Sequence, residues 1–121
     1  MGEYKMDVNT EKNRMSIRIS GFMTDQELKV VVDEALVELR KMKPGFAIIN
    51  DISEFKPASP SGAKELLRVQ KFVNDLKPGR IIRVVGSDKL GRKQFEKNSQ
   101  QAGYAAETAP SIEAAEKMLD G

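Results

Sequence analysis

Phe46-Ala47-Ile48-Ile49-Asn50-Asp51-Ile52-Ser53-Glu54-Phe55-Lys56-Pro57-Ala58-Ser59-Pro60-Ser61-Gly62 is the stretch that decides the fold. Its apolar start reads as a buried strand ending in Asp51-x-Ser53. Its last four residues read as a helix start, with Ser59 as N-cap and Pro60 at the first helical position, where a missing N–H costs nothing. In open α/β sheets, ligands and partners gather where strands end and helices begin, because unpaired backbone N–H groups and loop freedom meet there. The segment Asp51 to Gly62 is therefore the first candidate for function. The plainer alternative is a connection in which Asp51 and Ser53 tie down turn backbone and Ser59 only caps its helix.

Upstream, residues 3–9 and 13–20 alternate apolar and polar, with Tyr4, Met6 and Val8 on one side of the first run and Met15, Ile17 and Ile19 on one side of the second. Period two predicts half-buried strands, and Asn9 to Asn13 between them predicts an antiparallel hairpin. Thr24-Asp25-Gln26-Glu27 has the form of a capping box. The helix behind it carries Leu28, Val31, Val32, Ala35, Leu36, Leu39 and Met42 on one stripe. Lys43-Pro44-Gly45 closes that helix and Lys77-Pro78-Gly79 closes the next, each just ahead of an apolar run. The second helix, from about Pro60 to Leu76, offers Ala63, Leu66, Leu67, Val69, Phe72, Val73 and Leu76 to the core. Further elements are predicted at Arg80–Val85 (strand), Lys89–Ala102 (helix, ended by Gly103), Tyr104–Thr108 (strand) and a terminal helix through Leu119 capped by Ser111. The order β-β-α-β-α-β-α-β-α predicts one α/β domain over residues 1–121, with a mixed, mostly parallel sheet covered by helices. Asp51 and Gly86 are expected at the same edge of that sheet.

These residues resemble a family signature. In STAS domains, the anti-sigma-factor antagonist or SpoIIAA-like family, a strand ends Asp/Asn-x-Ser/x, and eight residues after that first position Asp-Ser-Ser-Gly opens a helix. Asp51 stands at the first position and Gly62 at the last without a gap. Ser59 occupies the place of the family's acidic residue, Pro60 that of the serine usually phosphorylated, and Ser61 that of the second serine. The resemblance is closer to the divergent branch also compared with lipid-binding Sec14-type (CRAL-TRIO-like) domains. The resemblance implies a STAS-like fold and a non-enzymatic regulatory domain that binds another protein, in the family an anti-sigma factor with kinase activity that phosphorylation releases. The alternative it implies is a small carrier or sensor of an apolar or anionic ligand.

Composition narrows the chemistry. There is no cysteine and no histidine, so Cys/His zinc sites, thiol catalysis, disulfides and serine–histidine relays are excluded. Twenty Lys and Arg against 18 Asp and Glu leave a net charge of +2, and with two Tyr, five Phe and no Trp neither charge nor stacking surface suits nucleic acid. No apolar run reaches the roughly 18 residues of a membrane span, and the amino end has no signal-peptide core, so a cytoplasmic protein without a cofactor or metal is expected. Asp33 with Glu34 and Glu113 with Glu116 read as solvated helix faces, and the methionines as core filler. No nucleophile, base and oxyanion donor set assembles.

The remaining candidates are basic. Lys64, Arg68 and Lys71 form a stripe on the outer side of the second helix, either a solvated face or a surface for an acidic protein or anionic head group. Lys89, Arg92, Lys93 and Lys97 extend it if the next helix lies alongside. Ser59 and Ser61 sit where added phosphate would meet the positive end of a helix dipole, which makes them phosphorylation candidates. Gly86 to Gly91 has the glycine spacing of a P-loop, but Arg92 and Lys93 stand where Lys and Ser/Thr are required. What is left at Gly86, Gly91, Arg92 and Lys93 is simple anion binding.

Overall fold

The computed structural model of the chain describes residues 2–85, 93, 97 and 106–121. Strands β1 (Glu3–Asn9) and β2 (Arg14–Gly21) form the hairpin, α1 spans Asp25–Leu39, β3 Ala47–Phe55, α2 Pro60–Asp75, β4 Arg80–Val84, β5 Glu107–Ala109 and α3 Ile112–Asp120. The five strands lie in the order β1-β2-β3-β4-β5, with β1 antiparallel to β2 and the other neighbours parallel. The chain is therefore α/β with a mixed, mostly parallel sheet. The helix predicted between β4 and β5 lies outside the described residues apart from Lys93 and Lys97, which are exposed helical positions. No helix among the described residues is long and apolar enough to cross a membrane.

The sheet advances one way through β2, β3 and β4, so right-handed crossovers place α1 and α2 on one face. There Ile19, Leu28, Val31, Ile52, Phe55 and Leu66 make one buried cluster, and Met15, Ala35, Leu39, Phe46, Ile48, Val73 and Ile81 make a second beside it. On the opposite face α3 covers Ile49, Ile82, Val84 and Ala109 with Ala115. It covers only that half of the face. Toward β1 and β2 the same face is polar, and Arg14, buried at its margin, holds α3 through Glu116 and through Asp120 at 2.8 Å.

The repeated Lys-Pro-Gly stops have a common reason. They touch. The Gly45 N–H donates to the Lys77 carbonyl at 3.0 Å, the Gly79 N–H to the Phe46 carbonyl at 2.7 Å, and the two parallel strands start level, Ala47 opposite Arg80. Asn13, in the left-handed region at φ 53, locks the hairpin turn to the first stop by exchanging side-chain hydrogen bonds with the Lys43 backbone, both at 2.9 Å. Asparagine tolerates that conformation where most residues do not.

Helix α1 ends at Leu39 and β4 at Val84, short of the Met42 and Val85 of the sequence reading, and two strand ends differ in ways that shape the fold. Strand β3 does not end at Asp51 but runs on to Phe55, because Ile52 and Phe55 continue to supply buried apolar side chains. Between Arg18 opposite Asp51 and Ser20 opposite Glu54, β2 advances two residues while β3 advances three, so β3 carries a bulge. The last strand reaches Ala109 rather than stopping at Thr108. Ala109 is buried under α3, and its carbonyl accepts from Val85 at 3.2 Å. Tyr104 lies outside the described residues.

Candidate functional site

The site is the edge of the sheet where β2 and β3 end and α1 and α2 begin. Asp51 explains how β3 reaches it. A bulge leaves an N–H without its ladder partner, and the Asp51 carboxylate accepts from both the Ser53 N–H at 3.0 Å and the Ser53 hydroxyl at 2.7 Å. Arg18 stands 3.7 Å from the other carboxylate oxygen of Asp51 and 3.0 Å from Glu54. Asp51 is buried, 7% exposed, and Ser53 is half-buried. The pair lies within β3, which corrects the reading of Asp51 as a loop residue. The Lys56 N–H then bonds the Gly21 carbonyl at 3.1 Å, leaving only residues 56–59 as the connection.

Both helix starts form as the sequence predicts. The Thr24 hydroxyl accepts from the Glu27 N–H at 3.1 Å and the Glu27 carboxylate accepts from the Thr24 N–H at 2.9 Å. The latter bond holds the Glu27 carboxyl below its ordinary range. Ser59 accepts from the Gly62 N–H at 3.1 Å and donates its own proton to Asp25 in the first turn of α1. It therefore joins the two helix starts. Phosphate on Ser59 would displace this cap and press a dianion against Asp25; Ser61 is exposed in the same turn. Ser59→Ala is expected to cost about 1–2 kcal/mol, since one helix donor loses its acceptor and the link to α1 is cut. A denaturant melt with an unshifted midpoint would place the functional start of α2 elsewhere.

Gly62 is buried because α2 crosses α1 closely there. A Cβ at residue 62 would lie 2.8 Å from the Leu28 Cδ1. From it the buried line of α2 runs through Leu66, Gln70 and Val73, leaving Ala63, Leu67, Val69, Phe72 and Leu76 half-buried. Gln70 was invisible as a core residue in the sequence. Its amide oxygen and nitrogen have no partner among the described residues, and it lines, with Asn50 and apolar side chains, a space of about 60 Å³ between the sheet and the helices.

The three side chains of the basic stripe differ in their surroundings. Lys64 and Lys71 are exposed, but the Arg68 guanidinium bonds Asp33 of α1 at 2.9 Å and Glu65 at 2.7 Å. These bonds raise its pKa, the Asp33 bond foremost. Arg68 is thus a clip between helices. Gly86, Gly91 and Arg92 lie outside the described residues, and Lys93 is an exposed helical position. Among the described residues no group of three or more acidic side chains is placed to hold a metal ion.

One surface residue escaped the sequence reading. Phe22 is 66% exposed between Gly21, which is bonded to Lys56, and Met23, which is in the core. An aromatic standing one residue past a strand and two before a helix cap, with no periodic partner, was the available signal. Phe22, Lys56, Ser61 and Lys64 all face solvent at this edge. Comparison with known family models finds no match, and neither does comparison with curated proteins.

Proposed function

We propose that this chain is a single STAS-like, non-enzymatic regulatory domain of the cytoplasm that binds another protein through the edge formed by Phe22, Ser61 and Lys64. The observation that most supports this reading is the exposure of Phe22 beside two helix starts joined through Ser59 and Asp25. An exposed aromatic side chain is a common centre of protein recognition. By the resemblance, the partner is an anti-sigma-factor-like kinase, and Ser61 is the residue through which phosphate would release it. Ser59 and Gly62 shape this surface from beneath, and Asp51 and Ser53 hold the end of β3 on which it is built. Lys71 extends it along α2, and Arg68 holds α2 to α1. Carriage of an apolar ligand enclosed between the sheet and the helices has less support: the space beside Gln70 is about 60 Å³, whereas sites for drug-sized ligands take about 300–1,000 Å³.

The test is to capture the partner on the immobilised protein from native lysate, identify it, and measure affinity with purified components. Phe22→Asp and Lys64→Glu are each expected to weaken it about tenfold or more, while Lys117→Glu on α3 leaves it unchanged. Ser61→Asp should also weaken binding without loss of fold stability, because a negative charge in the first turn of α2 favours the helix. A partner held as tightly by Phe22→Asp and Lys64→Glu as by the wild type would refute this docking edge.

A further inference from the structure

Among the described residues, the outer edge of β1 has unpaired backbone along seven residues and an alternation that fits its own copy. Tyr4, Met6 and Val8 lie on the α1 side of the sheet, opposite Ile19, Ile17 and Met15. Glu3, Lys5 and Asp7 lie on the other side. Beside the apolar row, a groove of about 520 Å³ runs between β1 and α1, walled by Met6, Val8 and Val37 together with the carboxylates Glu34 and Glu38 of α1. Tyr4 is 39%, Val30 50% and Val37 52% exposed, so three of the four large apolar side chains that are exposed among the described residues flank this edge or sit on the outer side of α1. An exposed edge strand is an open template for pairing, and proteins that avoid it blunt the edge with charge.

We infer that two copies of this chain pair antiparallel through β1, with Met6 on the two-fold axis, so that Lys5 of each copy faces Asp7 of the other. Two strands related by a two-fold axis perpendicular to the sheet keep their faces in common, so only registers that place one residue opposite itself are allowed. With Met6 on the axis, Tyr4 meets Val8, Lys5 meets Asp7, and Glu3 meets Asn9, which uses the whole strand. With Lys5 on the axis, Lys5 meets Lys5 and Glu3 meets Asp7, all like-charged. With Asp7 on the axis, Asp7 meets itself. A Tyr4-centred register matches Glu3 with Lys5 but leaves most of β1 unpaired. Opposite charges directly across a sheet stabilise pairing and like charges oppose it. On the helix side the two α1 helices then bring Val30 and Val37 toward the common apolar row. Because β2 runs in opposite directions in the two copies, their Phe22 edges face opposite ends of the dimer, and both remain open to partners.

Lys5 and Asp7 stand 3.9 Å apart within one chain as an exposed pair, their side chains 76% and 67% accessible, so reversing either tests association with little effect on the fold. By sedimentation equilibrium the wild type is expected to dimerise in the micromolar to submillimolar range. Lys5→Asp sets two carboxylates across from each other at each of these pairs, and Asp7→Lys sets two ammonium groups there. Each should weaken self-association about tenfold or more, since like charges brought together across an interface are strongly unfavourable. Two restorations follow that a merely structural effect would not give. The double variant K5D/D7K should dimerise again, and an equimolar mixture of the two single variants should form the mixed dimer, in which both pairs are complementary. Wild type that sediments as a monomer at about 1 mM, where even a weak association would show, would overturn the inference. So would a dimer indifferent to the single reversals, or one restored in neither the double variant nor the mixture.

Discussion

Phe55→Ala is expected to lower the free energy of unfolding by about 3–5 kcal/mol, the range for removing a fully buried aromatic ring. Phe55 is 0% exposed and packs with Leu28, Ile52 and Leu66 where α1, α2 and β3 converge. The effect depends on the bulge held by Asp51. If β3 ended at Asp51, residue 55 would lie in a surface connection and its truncation would change stability by only a few tenths of a kcal/mol. Urea denaturation of the variant decides between these, provided the slope of the transition stays at the wild-type value. An unshifted midpoint would mean that the strand stops at Asp51 and that the candidate edge is built differently.

Gly79→Val should give the second largest loss, about 1–3 kcal/mol, by overpacking the junction of the two Lys-Pro-Gly stops. A Cβ at residue 79 would fall 2.5 Å from the Gly45 carbonyl oxygen and 3.0 Å from its carbon. These are backbone atoms that no rotamer change can move. Gly45 serves a different need. It has φ +84, and a Cβ added there would meet nothing within 4 Å, so Gly45→Ala is strained by conformation alone. Comparing thermal melts of the two variants separates the two causes: Gly79→Val should lose more, and an equal loss would contradict close contact between the stops.

The parts of the fold that were legible in the sequence were those with local causes. Alternation at Tyr4, Met6 and Val8, the Thr24–Glu27 capping box and Ser59 before Pro60 each act within a few residues, and each forms as read. Asp51 misled because Asp-x-Ser is turn chemistry almost everywhere. Here the same hydrogen bonds to Ser53 serve a bulge inside a strand, and only pairing with β2 reveals it. Gln70 and Arg14 were hidden for a related reason. Burial of a polar residue is set by what lies across from it, α1 and the sheet for Gln70, and α3 for Arg14. The basic stripe was right in position, but Arg68 is committed to Asp33, a partner 35 residues away. At the candidate site, the helix start and its serines were readable, and Phe22 was not, because exposure of an aromatic follows from where its neighbours on both sides are held.

The most direct measurement is site-specific photo-cross-linking at position 22. Phe22→p-benzoylphenylalanine keeps an aromatic at the edge and reports whatever sits on it, and Lys117 on α3 is the matched exposed control. Irradiation in native lysate is expected to give one discrete heavier species at position 22, a single polypeptide by mass spectrometry. Excess unmodified protein should compete it away, and addition of Ser61→Asp should compete less well. No adduct at position 22 beyond that at position 117, or an adduct that unmodified protein does not displace, would contradict docking of a protein partner at this edge.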